Sequence, residues 1–245
     1  MAKKISLNDT FRQAYGCYQK NFRSVFLCAM LLSALSQYVI IYADRLGLRT
    51  LFQSLSSENG MTEPVVGIDK LGWLVMLLFV LNFMIYALII AIYDKDRTAE
   101  ANPYSHAFGL LRRRFWSFFV VYVLNGILVS LFGFVFWIVG IWLALSLTLV
   151  VFPNVILGNK GVKEAYIDDF LKLKQHVFYM LQIGFIVILL LFVGKFLHFL
   201  MESAGFNGQI GFGVEHVVLI FVEAVVLPFI LALNVTAYYL MNEMS

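Results

Sequence analysis

The chain has 245 residues, of which 61% are hydrophobic and 13% charged, with a net charge of +3 and a mean hydropathy of +0.84. Soluble domains carry about 25% charged residues. So much apolar surface has no soluble core in which to hide, which excludes a sizeable soluble domain and leaves lipid as the solvent.

A helix needs about 20 apolar residues to cross ~30 Å of hydrocarbon. The first apolar run, 22–43, has spanning length and is longer than the apolar core of a cleavable signal peptide, so it reads as an uncleaved first span. The polar stretch that follows contains Ser54, Ser56, Ser57, Gly60 and Pro64; it reads as a surface loop with one short helix at 46–55. The second run covers 71–93. The third covers 115–157 and holds no Asp, Glu, Lys or Arg in 43 residues, which predicts two spans joined by a tight turn. Gly133 and Gly140 bracket that turn, since glycine tolerates the backbone angles a hairpin demands, and Trp137 between them suits the headgroup level. Runs at 176–201 and 214–240 complete six spans, joined by a turn containing Gly205, Gly208, Gly211 and Gly213.

Lys and Arg concentrate on the cytoplasmic side of membrane proteins. The segments before span one, between spans two and three, and between spans four and five carry 14 of the 18 basic residues. Arg45, Arg49, Lys70 and Lys195 fall on the other side. This asymmetry predicts both termini in the cytoplasm.

The three basic segments resemble one another. Each is an amphipathic stretch feeding a span: Ala14-Tyr15 before Phe22, Ala107-Phe108 before Phe115, and Ala165-Tyr166 before His176-Val177-Phe178. These stretches, 6–20, 100–113 and 162–174, are expected as cytoplasmic interfacial helices with apolar residues in the acyl boundary and basic residues at anionic headgroups. In the third, Val162, Ala165, Tyr166, Phe170 and Leu173 form the membrane-facing side, with Lys163, Asp168, Asp169 and Lys172 off it. The chain then divides into three parallel hairpin units, about 5–93, 98–158 and 161–240, within one membrane domain covering 1–245. Inverted repeats, common in transporters, have the opposite symmetry.

Residues 107–190 carry paired charge-free spans, Val139-Gly140-Ile141, then Val151-Phe152-Pro153-Asn154-Val155-Ile156-Leu157 followed by Gly161 and a helix ending Leu171-Lys172-Leu173-Lys174-Gln175-His176. This pattern resembles the YciC-like family of bacterial inner-membrane proteins, and distantly the membrane domain of glycerophosphodiester phosphodiesterases. The family's Val-Pro-Gly-Ile turn lacks its proline here, where Trp137-Ile138-Val139-Gly140-Ile141 stands. The family has no established chemistry, so the resemblance implies a bacterial inner-membrane location.

No HExxH, GxSxG, P-loop or dinucleotide fingerprint is present, and neither Cys17 nor Cys28 has metal-binding spacing. No cofactor, metal or nucleic acid is expected. Asp94-Lys95-Asp96-Arg97 reads as a solvated boundary rather than an acid/base pair. Arg112, Arg113, Arg114, Lys172 and Lys174 read as anionic-lipid contacts. An ionisable group inside a membrane is costly and marks a candidate site. Lys195, about 9 Å from the end of span five, and Glu223, about 13 Å into span six, lie at comparable depth and are expected to pair. His198 and Glu202 share the Lys195 face as accessory groups, and Pro228 is expected to kink span six. The pair reads first as a register-fixing structural contact with Lys195 snorkelling outward.

The resulting expectation is an all-α polytopic bundle. It is a non-enzymatic inner-membrane protein that organises the envelope through lipid contacts. The alternatives are a small transporter or channel with a polar site around Glu223 and Lys195, or an enzyme acting on lipid headgroups.

Overall fold

A computed structural model describes residues 5–45, 68–98, 103–203 and 213–243; the side chains of Asp44, Ile68, Asp69, 95–98, Pro103, His198 and Glu202 are outside that description. The expected helix at 46–55 and the glycine-containing turn at 205–211 also lie outside the described residues. Six helices follow in order: α1 (Leu7–Arg45), α2 (Ile68–Thr98), α3 (Pro103–Leu147), α4 (Val151–Ile156), α5 (Val162–Ser203) and α6 (Val214–Asn242). Five helical segments are long and apolar enough to cross a membrane: Leu7–Ala43, Lys70–Asp94, Tyr104–Ile156, Val162–Met201 and Val214–Asn242. Among the described residues the architecture is an all-helical bundle whose long helices suit a membrane.

Long helices that follow one another in the chain pack antiparallel, and α2 and α6 run the same way. α1 and α6 share the most extensive contact, running from Phe26 against Phe221 to Tyr18 and Phe11 against Phe229. α2 meets α3 through an aromatic cluster in which Phe83 touches Phe115, Phe118, Phe119 and Tyr122. α5 lies against α3, where Trp142 Nε1 donates to the Leu181 carbonyl at 2.9 Å. The end of the bundle holding the start of α1 and the finish of α6 is the near end below; the opposite end is the far end.

α3 contains a sharp reversal. Trp137 adopts φ 52°, ψ −133°, a left-handed conformation that L side chains rarely take. The chain folds back here, so that a Cβ added at Gly140 would overlap the Phe132 carbonyl oxygen and one at Gly133 would meet Ile141 at 3.0 Å. In a straight helix residues eight apart are separated by about 12 Å. The turn therefore falls at Trp137, between the two glycines read from the sequence, and glycine at 140 is what permits the backbones to touch.

Near-end stretches 7–20, 103–113 and 162–174 are helical, but the first two run without interruption into the apolar segment that follows. Only the third is set apart, by a break at His176 (φ −128°, ψ 34°). Each stretch buries its alanine: Ala14, Ala107 and Ala165 are all at 0% exposure. α6 continues through Pro228, whose carbonyl accepts the Tyr93 hydroxyl at 2.8 Å.

Candidate functional site

Among the described residues, three of the polar networks that interrupt the apolar bundle involve ionisable groups. The first lies toward the far end between α1 and α6. Glu223 has Ser33 and Gln37 of α1 as hydrogen-bonding neighbours, with Lys195 nearby as a charge. Ser33 and Gln37 are buried. His216 Nδ1 donates to Gln37 Oε1 at 3.1 Å, and its Nε2 lies 3.5 Å from Glu215 Oε1. His216 and Glu223 are seven residues apart on α6, two helical turns, which puts them on one face. One turn beyond Gln37, an open cleft of about 130 Å³ is lined by Tyr38, Ile41, Tyr42 and Arg45.

This differs from the pair expected between Lys195 and Glu223. The carboxylate's hydrogen bonds go to α1, and Lys195 is an exposed side chain that enters only as a neighbouring charge. The physical reason is reach and cost. Ser33 and Gln37 offer donors at the buried interface, whereas a lysine stem can carry its ammonium away from lipid toward the headgroups. The accessory groups His198 and Glu202 lie outside the described side chains. Gln37 is a polar residue within the first apolar run, and nothing in local spacing pairs it with Glu223, 186 positions away.

The second network joins α4, α5 and α6 at the near end. Lys172 Nζ lies 2.6 Å from Asp168 Oδ2, donates to Asn154 Oδ1 at 3.3 Å and sits 4.7 Å above the Tyr238 ring. Lys160 Nζ holds the other oxygen of Asp168 at 2.8 Å. Asp169, 1% exposed, accepts the Val150 backbone N–H at 3.2 Å, just where the chain leaves α3 and starts α4. Asn154 Nδ2 donates to the Ala165 carbonyl at 3.3 Å.

These contacts correct two expectations. Lys172, expected at the headgroups, is buried at 3% exposure among protein groups. The helix is also rotated from the expected face: Ala165, Asp169 and Lys172, spaced i, i+4, i+7, point into the bundle, Val162, Tyr166 and Leu173 pack against its core, and of the expected membrane-facing set Phe170 alone is exposed, beside Ile167 and Leu171. In water this would be inside-out. Beside a membrane it is economical, because apolar side chains meet lipid, Lys172 is paired with Asp168 and Asp169 accepts a backbone N–H. Lys174, Arg112 and Arg113 are exposed as expected, whereas Arg114 donates to the side chain and backbone carbonyl of Asn159, itself in a left-handed conformation (φ 54°).

A third network ties the end of α2 to α3 and α6. The Tyr239 hydroxyl donates to Asp94 Oδ1, and His106 Nε2 lies 3.2 Å from Asp94 Oδ2. Asp94 is 9% exposed, so this end of the expected solvated run is a buried acceptor instead. Its neighbours 95–97 are outside the described side chains. Nothing in local spacing pairs Asp94 with Tyr239; the packing of α2 on α6 creates the contact.

Together, five helices long and apolar enough to cross a membrane, with polar networks packed between them, suit a multi-pass membrane protein. No family model, curated protein or solved structure matches the chain.

Proposed function

We propose that the chain is a non-enzymatic bacterial inner-membrane protein, similar to the YciC-like family, that crosses the bilayer six times with both termini cytoplasmic. Its near end binds anionic lipid headgroups and so helps organise the envelope. The observation that carries this reading is the exposed face at the start of α3. Tyr104, Phe108, Arg112 and Trp116 are spaced four apart, and all four are exposed, with Arg113 beside them. An aromatic and basic face directly preceding an apolar span suits the headgroup layer. The outward face of α5 adds Ile167, Phe170 and Leu171 flanked by exposed Lys163 and Lys174.

Six crossings rest on the reversal at Trp137. The segment Tyr104–Ile156 has 53 residues, and as one straight helix it would be about 80 Å long, far more than hydrocarbon thickness. Folded back at Trp137, it supplies two crossings. The buried alanines at 14, 107 and 165 support three related units of hairpin form. Cysteine labelling tests the topology. A cysteine placed at Ser57 should react with an impermeant maleimide from the outer side, and one at Glu243 only from the cytoplasmic side. Labelling of the Ser57 site from the cytoplasmic side alone would refute the orientation.

Lipid selectivity tests the function. In proteoliposomes, spin-labelled anionic phospholipid should associate more tightly than its zwitterionic counterpart. Each basic residue near such a surface contributes about 1 kcal/mol, so Arg112→Gln with Arg113→Gln should weaken that preference roughly thirtyfold at the affected positions. Equal association of both lipid types would refute the reading. The network of Glu223, Gln37 and His216 beside the open cleft favours a second reading, a small transporter with a polar site there. Solute or ion flux in the same proteoliposomes, lost in Glu223→Gln with lipid selectivity intact, would select it.

A further inference from the structure

The turn of the α3 hairpin carries no polar cap. Phe134 is 91% exposed, Trp137 76%, and Val135 and Phe136 stand out beside them. A hairpin tip that emerged into water would leave this cluster bare. The tip also continues an exposed apolar stripe along α3, through Val120, Leu124, Ile127 and Leu131 to Phe134, at spacings of three and four. That is the helical period of a lipid-facing stripe.

Two exposed tryptophans bound the stripe. Trp116 sits next to the arginines at the near end, and Trp137 lies 21 residues on at the turn. At 1.5 Å per residue they are about 32 Å apart, close to the thickness of the hydrocarbon core. Tryptophan is enriched at both membrane–water interfaces because its ring is largely apolar yet carries one donor. Trp73, 72% exposed three residues past Lys70, stands at the same far end on α2.

Backbone conformation adds a separate observation. Trp137 holds the left-handed φ of 52°, the one position of the turn where glycine would be strain-free. Gly133 and Gly140 lie close by on either side, yet the strained position holds a tryptophan with its ring outward. An outlier of this kind points to a use for the side chain.

The geometry points to a lipid-docking tip. The segment 134–138 seats in the glycerol and upper acyl region of the leaflet opposite the termini, with Trp137 as its anchor. The occupant of this surface is phospholipid rather than water or a second copy of the chain. Continuity with the lipid-facing stripe of α3 and the match of the Trp116–Trp137 span to bilayer thickness select it. The inference requires only that α3 enters the bilayer, and is independent of which face is cytoplasmic and of headgroup preference at the near end.

A nitroxide at Val135, in protein whose Cys17 and Cys28 have been replaced by alanine and which is held in phospholipid vesicles, tests this. Power-saturation measurements compare collision with oxygen, which dissolves in lipid, and with a water-soluble nickel chelate. The Val135 label should favour oxygen as strongly as a label at Leu131, and unlike one at Glu243. Nickel access equal to that at Glu243 would place the tip in water and overturn the proposal. Shielding from both reagents would mean a protein partner or a second copy, and would equally overturn it. Should the cysteine-free protein fail to fold, quenching by brominated lipid, compared between unaltered protein and Trp137→Phe, reports the same depth. Trp137→Gly relieves the backbone strain but removes the anchor. Its Val135 label should gain nickel access while the thermal midpoint in detergent holds. Unchanged nickel access would remove Trp137 from the anchoring role.

Discussion

Lys172→Met is expected to lower the unfolding free energy in detergent by about 3 kcal/mol. Removing one partner of a buried ion pair typically costs 3–5 kcal/mol, because the other charge is left without compensation. The lower end applies here, since Asp168 is a quarter exposed and keeps Lys160 as a second partner. Asn154 Oδ1 and the Tyr238 ring lose their cation as well. The consequence is specific to this geometry. Asp168→Asn should rescue part of the loss, because the two side chains share one interaction, and a double-mutant cycle should give a coupling well above the error of additivity. Thermal or denaturant unfolding of the four proteins measures it. A neutral Lys172→Met would mean that the ammonium reaches headgroups, as the residue pattern alone implies, and that the buried network is not formed.

Substitution of Gly184 is expected to be nearly as damaging. α5 crosses α3 so closely at this point that a Cβ on Gly184 would overlap Ser146 Oγ and come 3.0 Å from its Cβ and 3.1 Å from its Cα. Helix pairs in membranes rely on such small residues, because no hydrophobic difference between lipid and protein drives them together. Gly184→Ala should therefore cost on the order of 1–3 kcal/mol by overpacking. Gly184→Leu should exceed that and separate the helices, breaking the Trp142 bond to the Leu181 carbonyl. Ser146→Gly with Gly184→Ala should restore most of the contact, less the cost of a second glycine in a helix, about 1 kcal/mol. Gly126, with nothing within 4 Å of an added Cβ, is the control: Gly126→Ala should be neutral or mildly stabilising. Equal responses at 126 and 184 would contradict the close crossing.

Both predictions concern contacts invisible to local pattern. Asp169 and Lys172 are charged residues in an amphipathic stretch, and periodicity alone turns the charged side toward water. Packing decides otherwise. The stretch abuts α4 and α6, where Val150 has a backbone N–H to satisfy and Asn154 an amide to pair, so Asp169 and Lys172 turn inward and Ile167 and Leu171 turn out. The same holds for Glu223. Its depth in an apolar run marks it as costly, yet depth equally suited Lys195; proximity of α1 gave the carboxylate Ser33 and Gln37.

The membrane class, the helical content and the turn at Trp137 were determined by sequence alone. Each follows from quantities that are one-dimensional: the length of an apolar run against a fixed bilayer thickness, the absence of charge over 43 residues, and glycines bracketing a turn. Only the tertiary structure decided which face of each amphipathic stretch is buried and which residues share a network. Asp94 with Tyr239, Thr10 with Tyr179 and Gly184 with Ser146 are distant in sequence, and their contacts arise from how whole helices cross. In lipid, an apolar side chain is equally at home inside the bundle or outside it. The hydrophobic pattern that orients helices in water therefore carries little rotational information, and buried polar partners and close backbone approach set the rotation instead.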